Sequence, residues 1–467
     1  MVTKYDHNKV KGFKINFSKE KGTSFGGIVL VERLARRLGL WRDMAKKTPE
    51  RKGDYDWMSI IKSAVIGLLT GSRGTYATQE IREDKSLLQM CGLSKAPEEV
   101  TFWRSLEKLG SRVFLGIFQY ILFNWVTKII LRVGVNRVLQ KGFLPIFGDG
   151  TLLEGSKRRE ATKYIEGKGS GLLWTTLYVG PFMACQRLNP PGEGEGTLLK
   201  DMLPLVTENV LRRIGMKNKA LVLLDSLHGN GPTLDILEDE RLFYVVGGNK
   251  LKEMIRMLQN LDECFWKDTG PDASRNISES GVCFNWLRLE GWKRSRLVVG
   301  RRFRIKGELF WNYSGVLTSL SPDNVKHLMT GGKSFPEVVW ELYDMKMGLE
   351  NYYKPLLEDL GLHHPPCEEH QRNAGFYALG SLAYTLGLAV EMIGSKGMGR
   401  CQTKRKDGKS RKRPTPRTMR IWRLIRRYFT LPAKISYHAR KIWVEFLEVS
   451  SEVRKEFDQF WENILRC

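Results

Sequence analysis

The chain has 467 residues, 42% of them hydrophobic and 10% aromatic, which excludes a disordered chain and gives enough material for roughly two to four structural units. Lys and Arg number 76 against 51 Asp and Glu, a formal charge of +25, so the expected partner is a polyanion; basic ribosomal and membrane-surface proteins share the property, and charge alone does not select DNA. Seven scattered cysteines form no CxxC pair and no regular framework, for which a reducing cytosol is the simpler reading, and Met1 to Phe17 has no apolar core of signal-peptide length, so the expectation is a cytosolic protein.

Residues 1–140 read as a helical N-terminal domain. Gly27 to Leu40, Trp57 to Leu69 and Thr101 to Leu109 carry apolar residues at helical spacing, and Pro97 followed by Glu98 and Glu99 suits a helix start. Such a run of short helices can hold a helix-turn-helix and bind DNA, or serve only to pack. The apolar stretch Val113 to Leu131 is broken by Gln119, Asn124, Thr127 and Lys128, which marks a buried helix with one wet stripe and not a membrane span.

From Gly142 the period becomes that of strands. Phe143 to Gly148, Leu172 to Gly180 and Pro181 to Leu188 read as strands, Thr197 to Ile214 as a helix, Ala220 to Leu224 as a buried strand, and Leu242 to Val246 as another after a short helix. That order is the order of a ribonuclease-H-like α/β core, expected over 141–262 and resumed over 331–394. Between them, Val282 to Leu289, Arg296 to Arg304 and Leu309 to Leu320 predict a β-rich insertion over 263–330. Its Trp292 and Trp311 are candidates for stacking on a base, and Arg301, Arg302 and Arg304 for phosphate contacts; the tryptophans can equally fill a small β core.

Asp149 closes the run Leu144 to Gly148, and Asp225 closes Leu221 to Leu224. If these strands are neighbours, both acids leave the same sheet edge and repel each other unless a cation lies between them; magnesium is the natural ion for such oxygen ligands. Farther on, Tyr343, Lys346, Glu350 and Lys354 recur three or four apart, so on a continuous helix they share one face. One acid between lysines suits a metal beside a phosphate backbone, or a solvated salt-bridged surface.

Beyond Ile393 the composition changes. Lys396 to Arg427 holds fourteen Lys or Arg and one acid, Asp407, more than half the net charge of the chain. Residues 395–467 are therefore read as a basic region for DNA binding or dimerisation, with Arg417, Arg420, Arg423 and Arg427 on one helix face opposite Ile421, Trp422, Leu424 and Ile425. His363, His364, Cys367 and His370 fit no standard zinc spacing. Gly155-Ser156-Lys157 reverses the Gly-Lys-Ser order of a phosphate loop, so ATP use is not expected.

Several of these stretches resemble one family. Tyr343 to Lys354 is similar to the Y-x2-R-x3-E-x6-K signature of IS4-like DDE transposases, with Lys346 in place of the arginine, Glu350 as the acid, and Leu357 where the final lysine is expected. Phe147-Gly148-Asp149-Gly150-Thr151 resembles the first-aspartate motif, and Leu223-Leu224-Asp225-Ser226 with Tyr244-Val245-Val246-Gly247 the second. Arg372 to Leu379 with Leu382 to Leu386 is most similar to the IS1380 branch, and Thr23-Ser24-Phe25-Gly26-Gly27, Arg82-Glu83-Asp84 and Thr101-Phe102-Trp103-Arg104 also look like this group.

The resemblance implies a cut-and-paste transposase of an insertion sequence, in which Asp149, Asp225 and Glu350 hold two Mg²⁺ or Mn²⁺ ions. These serve cleavage of double-stranded DNA at terminal inverted repeats and joining of the 3′-hydroxyl to target DNA. It further implies DNA contacts from Tyr343, Lys346 and Lys354, a homodimer in the DNA complex, a prokaryotic cytoplasmic, nucleoid-associated location and no membrane. The alternative is a catalytically inactive DNA-binding or regulatory protein derived from such an enzyme.

Overall fold

The computed structural model describes residues 22–155, 159–165, 169–397, 420–438 and 441–467; of residues 165, 195, 197, 198 and 349–351 it describes the backbone only. Arg417 and the rest of 398–419 in the basic region lie outside the described residues, as do Ser156 and Lys157.

The N-terminal half of the helical layer follows its sequence signals. In the helix Trp57–Thr70 the Asp56 carboxylate accepts from Ser59 N–H at 2.7 Å, and Gly71 at φ 100° ends it, since only glycine takes that backbone without strain. Glu99–Leu109 and Arg112–Val133 follow. Arg112–Val133 and His370–Gly394 are long and apolar enough to cross a membrane, yet the apolar stretch of the second is buried along its whole length by surrounding protein. Gly375 lets that helix touch its neighbour, because a Cβ there would lie 2.8 Å from the Gly110 nitrogen.

The strands, numbered along the described chain, are β1 (Gly22–Thr23), β2 (Leu144–Glu154), β3 (Lys163–Ile165), β4 (Gly169–Val179), β5 (Phe182–Leu188), β6 (Ala220–Leu224), β7 (Phe243–Gly247), β8 (Lys267–Asp268), β9 (Ile277–Leu287), β10 (Arg296–Ile305), β11 (Asn312–Thr318), β12 (Ala433–His438) and β13 (Lys441–Phe446). The architecture is mixed α/β. Ten strands form one mixed sheet in the order β3-β4-β2-β6-β7-β11-β10-β9-β8, with β5 also on β4. β2, β6 and β7 run parallel, while β4 is antiparallel to β2 and β5 to β4.

Two sequence expectations change here. β2 does not stop at Asp149: antiparallel pairing with β4 carries it on to Glu154, opposite Gly171, so the acid lies within a strand whose parallel partner has ended. The β-rich stretch expected over 263–330 adds its strands edge-on to the same sheet, through antiparallel pairing of β11 with β7.

The termini of the described chain close on each other. β1 pairs with β12, Gly26 N–H donates to the Leu431 carbonyl at 2.8 Å, and a Cβ on Gly27 would lie 1.6 Å from the Tyr428 carbonyl oxygen. Gly27→Ala should therefore lower unfolding free energy by about 1–3 kcal/mol through overpacking. Gly116→Ala, in an exposed helix position with nothing near its Cβ, should raise it by about 0.5–1 kcal/mol. Equilibrium denaturation checks both, and equal midpoints for the two variants would contradict the packing described.

Candidate active site

Register brings the first two acids together. β2 pairs with β6 from Leu144↔Ala220 to Phe147↔Leu223, and Asp149 and Asp225 each lie two residues beyond that last pair. Parallel neighbours run about 4.8 Å apart, so the two positions are adjacent; alternation along β2 puts Asp149 on the face of Phe147, and Asp225 is the first residue after β6. Gly148 faces the opposite way: a Cβ there would meet Leu199 at 2.6 Å and Leu224 at 2.9 Å, under the helix Glu195–Val206. Asp149 thus shares the face of Phe147, and Asp225 lies beside the Tyr343 hydroxyl at the end of β6.

That face is covered by the segment bearing the third acid. Tyr352 packs on Phe147 with ring centroids 5.9 Å apart, and on Tyr178 at 5.8 Å. The Tyr353 hydroxyl, buried, donates to the Asp149 carbonyl at 3.1 Å and also bonds Thr176. Seven residues before Glu350, Tyr343 sits over the end of β7; a Cβ on Gly247 would lie 2.5 Å from its hydroxyl and 2.9 Å from the Ser226 nitrogen. The Glu350 side chain lies outside the described residues, but its chain position is bounded by Tyr343 beside Asp225 and by Tyr353 on Asp149.

The expected single helix is not formed. The helix Phe335–Tyr343 gives way to a 3-10 helix over Asp344–Leu349, then to a short helix Glu350–Lys354 and a π turn Pro355–Asp359. The helical period that put Tyr343, Lys346, Glu350 and Lys354 on one face does not run through a 3-10 turn, where three residues complete a turn. Lys354 is exposed, Lys346 half-buried, and Leu357, which stands where the family signature has lysine, packs against the core.

Neighbouring groups set the orientation of the acids. Asp225 Oδ1 accepts from Leu227 N–H at 2.9 Å and lies 3.7 Å from Nε2 of the fully buried His228, while the Asp225 side chain is 32% exposed. Asp149 Oδ1 accepts from Gly150 N–H at 2.9 Å. Burial, and then the charge of Asp225, push the Tyr343 hydroxyl up to about 12; burial does the same for Tyr352. His228 and Tyr353 have no role in the sequence reading; their contacts with Asp225 and Asp149 follow only from the fold.

Other expected contacts lie away from this face or are otherwise engaged. Trp292 is buried beneath Arg296, 4.7 Å from its guanidinium, and so offers no stacking surface. Arg302 is buried, chelates Glu263 and stacks on Trp266 and on Trp311, at 4.7 and 4.4 Å. Arg304 stacks on Trp311 at 4.5 Å and pairs with Glu279 at 3.2 Å, and Arg301 lies 4.3 Å over Trp340. These arginines brace the β9–β11 layer. Arg420 is bound by Glu358 and Asp359, and Arg427 by Glu452 and Glu456, whereas Arg423 is exposed. Trp422, expected on the apolar side of its helix, is 43% exposed.

No protein-family model and no curated protein matches the sequence. A cryo-EM structure of a piggyBac transposase synaptic complex with hairpin DNA is similar at a TM-score of 0.43 and 11% identity, covering 96% of this chain and 87% of that one.

The tyrosine cover generates a pH dependence. Tyr343 and Tyr352 titrate near 12 in the folded chain and near the ordinary value of about 10 when unfolded, so the folded state holds these protons more tightly. Their contribution is complete below pH ~10 and is lost as pH rises through ~12. Between about pH 9 and pH 11 the wild type should lose on the order of 1 kcal/mol more stability than Tyr352→Phe, measured by denaturant titration at each pH. Equal losses would contradict the buried position of that hydroxyl.

Proposed function

We propose that the chain is a DNA transposase of the DDE type, IS4-like and nearest the IS1380 branch, built on a ribonuclease-H-like core. The observation that carries the proposal is the adjacency of the Asp149 and Asp225 positions past the last β2–β6 pair, beside a segment that brings Glu350 between two tyrosine anchors. The strand order β5-β4-β2-β6-β7, with β4 alone running against the other four, supports the ribonuclease-H-like reading. A formal charge of +25 and the three acid-centred motifs favour DNA as the substrate.

The donor set fits a hard divalent cation. Two carboxylates on neighbouring strands, one of them a third exposed to solvent, offer oxygen ligands in a place where two negative charges otherwise repel. Asp149, Asp225 and Glu350 are the residues that would hold Mg²⁺ or Mn²⁺; a pair of such ions, when bound, activates the attacking oxygen and stabilises the leaving one in phosphodiester cleavage and strand transfer.

The protein's own groups supply positioning. Tyr353 ties the Glu350 segment to the Asp149 backbone, and His228 with the Leu227 N–H orients Asp225. Tyr343 keeps its proton across the physiological range, so its hydroxyl can donate to a phosphate oxygen beside Asp225. Exposed Lys354 directly follows Tyr353, and Lys346 lies upstream in the same segment, so the Glu350 segment itself carries positive charge. Action in a prokaryotic cytoplasm, on terminal inverted repeats and as a homodimer on DNA, completes the proposal.

The test uses full-length protein and DNA carrying the inverted repeats that flank its coding sequence. Wild type should nick this DNA in the presence of Mg²⁺ or Mn²⁺. Asp149→Asn and Asp225→Asn should each lose at least about a hundredfold in rate while keeping DNA affinity. Binding without cleavage by the wild type would establish instead the non-catalytic DNA-binding reading, and equal rates in the variants would remove these acids from the chemistry.

A further inference from the structure

A second group of ligating side chains lies at the far end of β2. Glu154 is the last residue of that strand, five positions beyond Asp149, and His363 and His364 belong to the loop between the Glu350 segment and the helix His370–Gly394. One ligand atom from each of the three lies within 4.8 Å of the others. His363 Nε2 is 3.6 Å from a Glu154 carboxylate oxygen, His364 Nδ1 is 3.4 Å from the Glu154 carbonyl, and the two imidazoles stand edge to face at 4.6 Å.

This is not the grouping of His363, His364, Cys367 and His370, whose spacing fits no standard zinc site. Cys367 is buried and its backbone exchanges hydrogen bonds with Asn373, and His370 Nε2 contacts the Asn189 carbonyl at 3.0 Å. A carboxylate from a distant strand takes their place. Two imidazoles and one carboxylate form a zinc donor set with its fourth position open, and imidazole nitrogen selects borderline transition ions over magnesium.

The backbone around the three ligands is already assembled. Glu160 N–H donates to the Glu368 carbonyl at 3.1 Å, and His370 N–H donates to the Glu160 carboxylate at 2.8 Å, which staples the segment after β2 to the loop. Pro365 and Pro366 restrict the chain directly after the histidines. Ligand atoms on a tetrahedral ion stand about 3.3 Å apart, so side-chain rotations of roughly 1 Å close the site. Glu154 and His363 are 62% and 46% exposed, and little packing opposes that movement.

We propose that Glu154, His363 and His364 bind a borderline divalent ion, Zn²⁺ in the first place, with water as the fourth ligand. The ion would clamp the strand that carries Asp149 to the loop that follows Glu350. This proposal stands apart from the transposase reading, because its ligands are none of the three acids and its test needs no DNA.

The experiment is titration of chelator-stripped full-length protein with Co²⁺, followed by Zn²⁺. One equivalent of Co²⁺ should develop the visible absorption of a four- or five-coordinate nitrogen–oxygen site, and Zn²⁺ should remove it. The spectrum should vanish in H363A/H364A, weaken in affinity at least roughly tenfold in E154Q, and persist in D225N. Zn²⁺ should also raise the melting temperature of the wild type more than that of E154Q. Should H363A/H364A not fold, E154Q, which alters one exposed side chain, carries the comparison. Absence of a stoichiometric cobalt spectrum in the wild type, or the same affinity in E154Q, overturns the proposal.

Discussion

The parallel register of β2 on β6 is the constraint on which the candidate site rests. A slip of one residue would carry one acid about 3.3 Å along the strand and turn it to the opposite face, separating it from its partner. Packing on both faces fixes the register. On one side Gly148 admits Leu199 and Leu224 so closely that any side chain there would clash, and on the other Phe147 lies under Tyr352. A strand held this way has no alternative seating that keeps its apolar residues buried.

The third acid depends on a longer route. After β7 the chain leaves the acids, adds β8 to β11 to the sheet edge and returns through Phe335–Tyr343. Two aromatic contacts then define where the returning segment lands: Tyr343 over Gly247, and Tyr353 on the Asp149 carbonyl. Behind it, the Tyr377 hydroxyl donates to the Leu362 carbonyl at 3.1 Å and the Tyr384 hydroxyl to the Pro181 carbonyl at 3.0 Å, which fixes the long buried helix to the loop before it and to the β4–β5 turn. Tyr353, Tyr377 and Tyr384 each bury the ring and satisfy the hydroxyl on a backbone oxygen, so these anchors stabilise position as well as packing.

Most elements were legible in the sequence because their signals are local. Apolar runs located β2, β4, β5, β6 and β7, and helical spacing located Trp57–Thr70 and Arg112–Val133. Three features depend on distant partners and left no local trace. The extent of β2 past Asp149 is set by β4, the attachment of the β9–β11 strands by pairing with β7, and the break of the expected helix after Tyr343 by the landing of both tyrosine anchors on the sheet. Trp292 illustrates the same limit: sequence shows an aromatic among arginines, but only the fold shows the guanidinium of Arg296 lying over its ring while that arginine bonds Asp235 and Glu238.

The positive charge divides according to the same logic. Arg296 and Arg302 are buried and paired with acids, and Arg420 and Arg427 are held by two carboxylates each, so their charge is largely neutralised at short range and contributes little to a field felt by a distant polyanion. Arg423 and Arg426 lie exposed with Trp422 around one groove, and Lys354, next in the chain to Tyr353, is exposed as well. A basic composition therefore serves two ends in this chain. Arginine, with its planar fork, is used where a cation must be buried against an acid and an aromatic ring, and the charge left at the surface is what can attract a phosphate backbone.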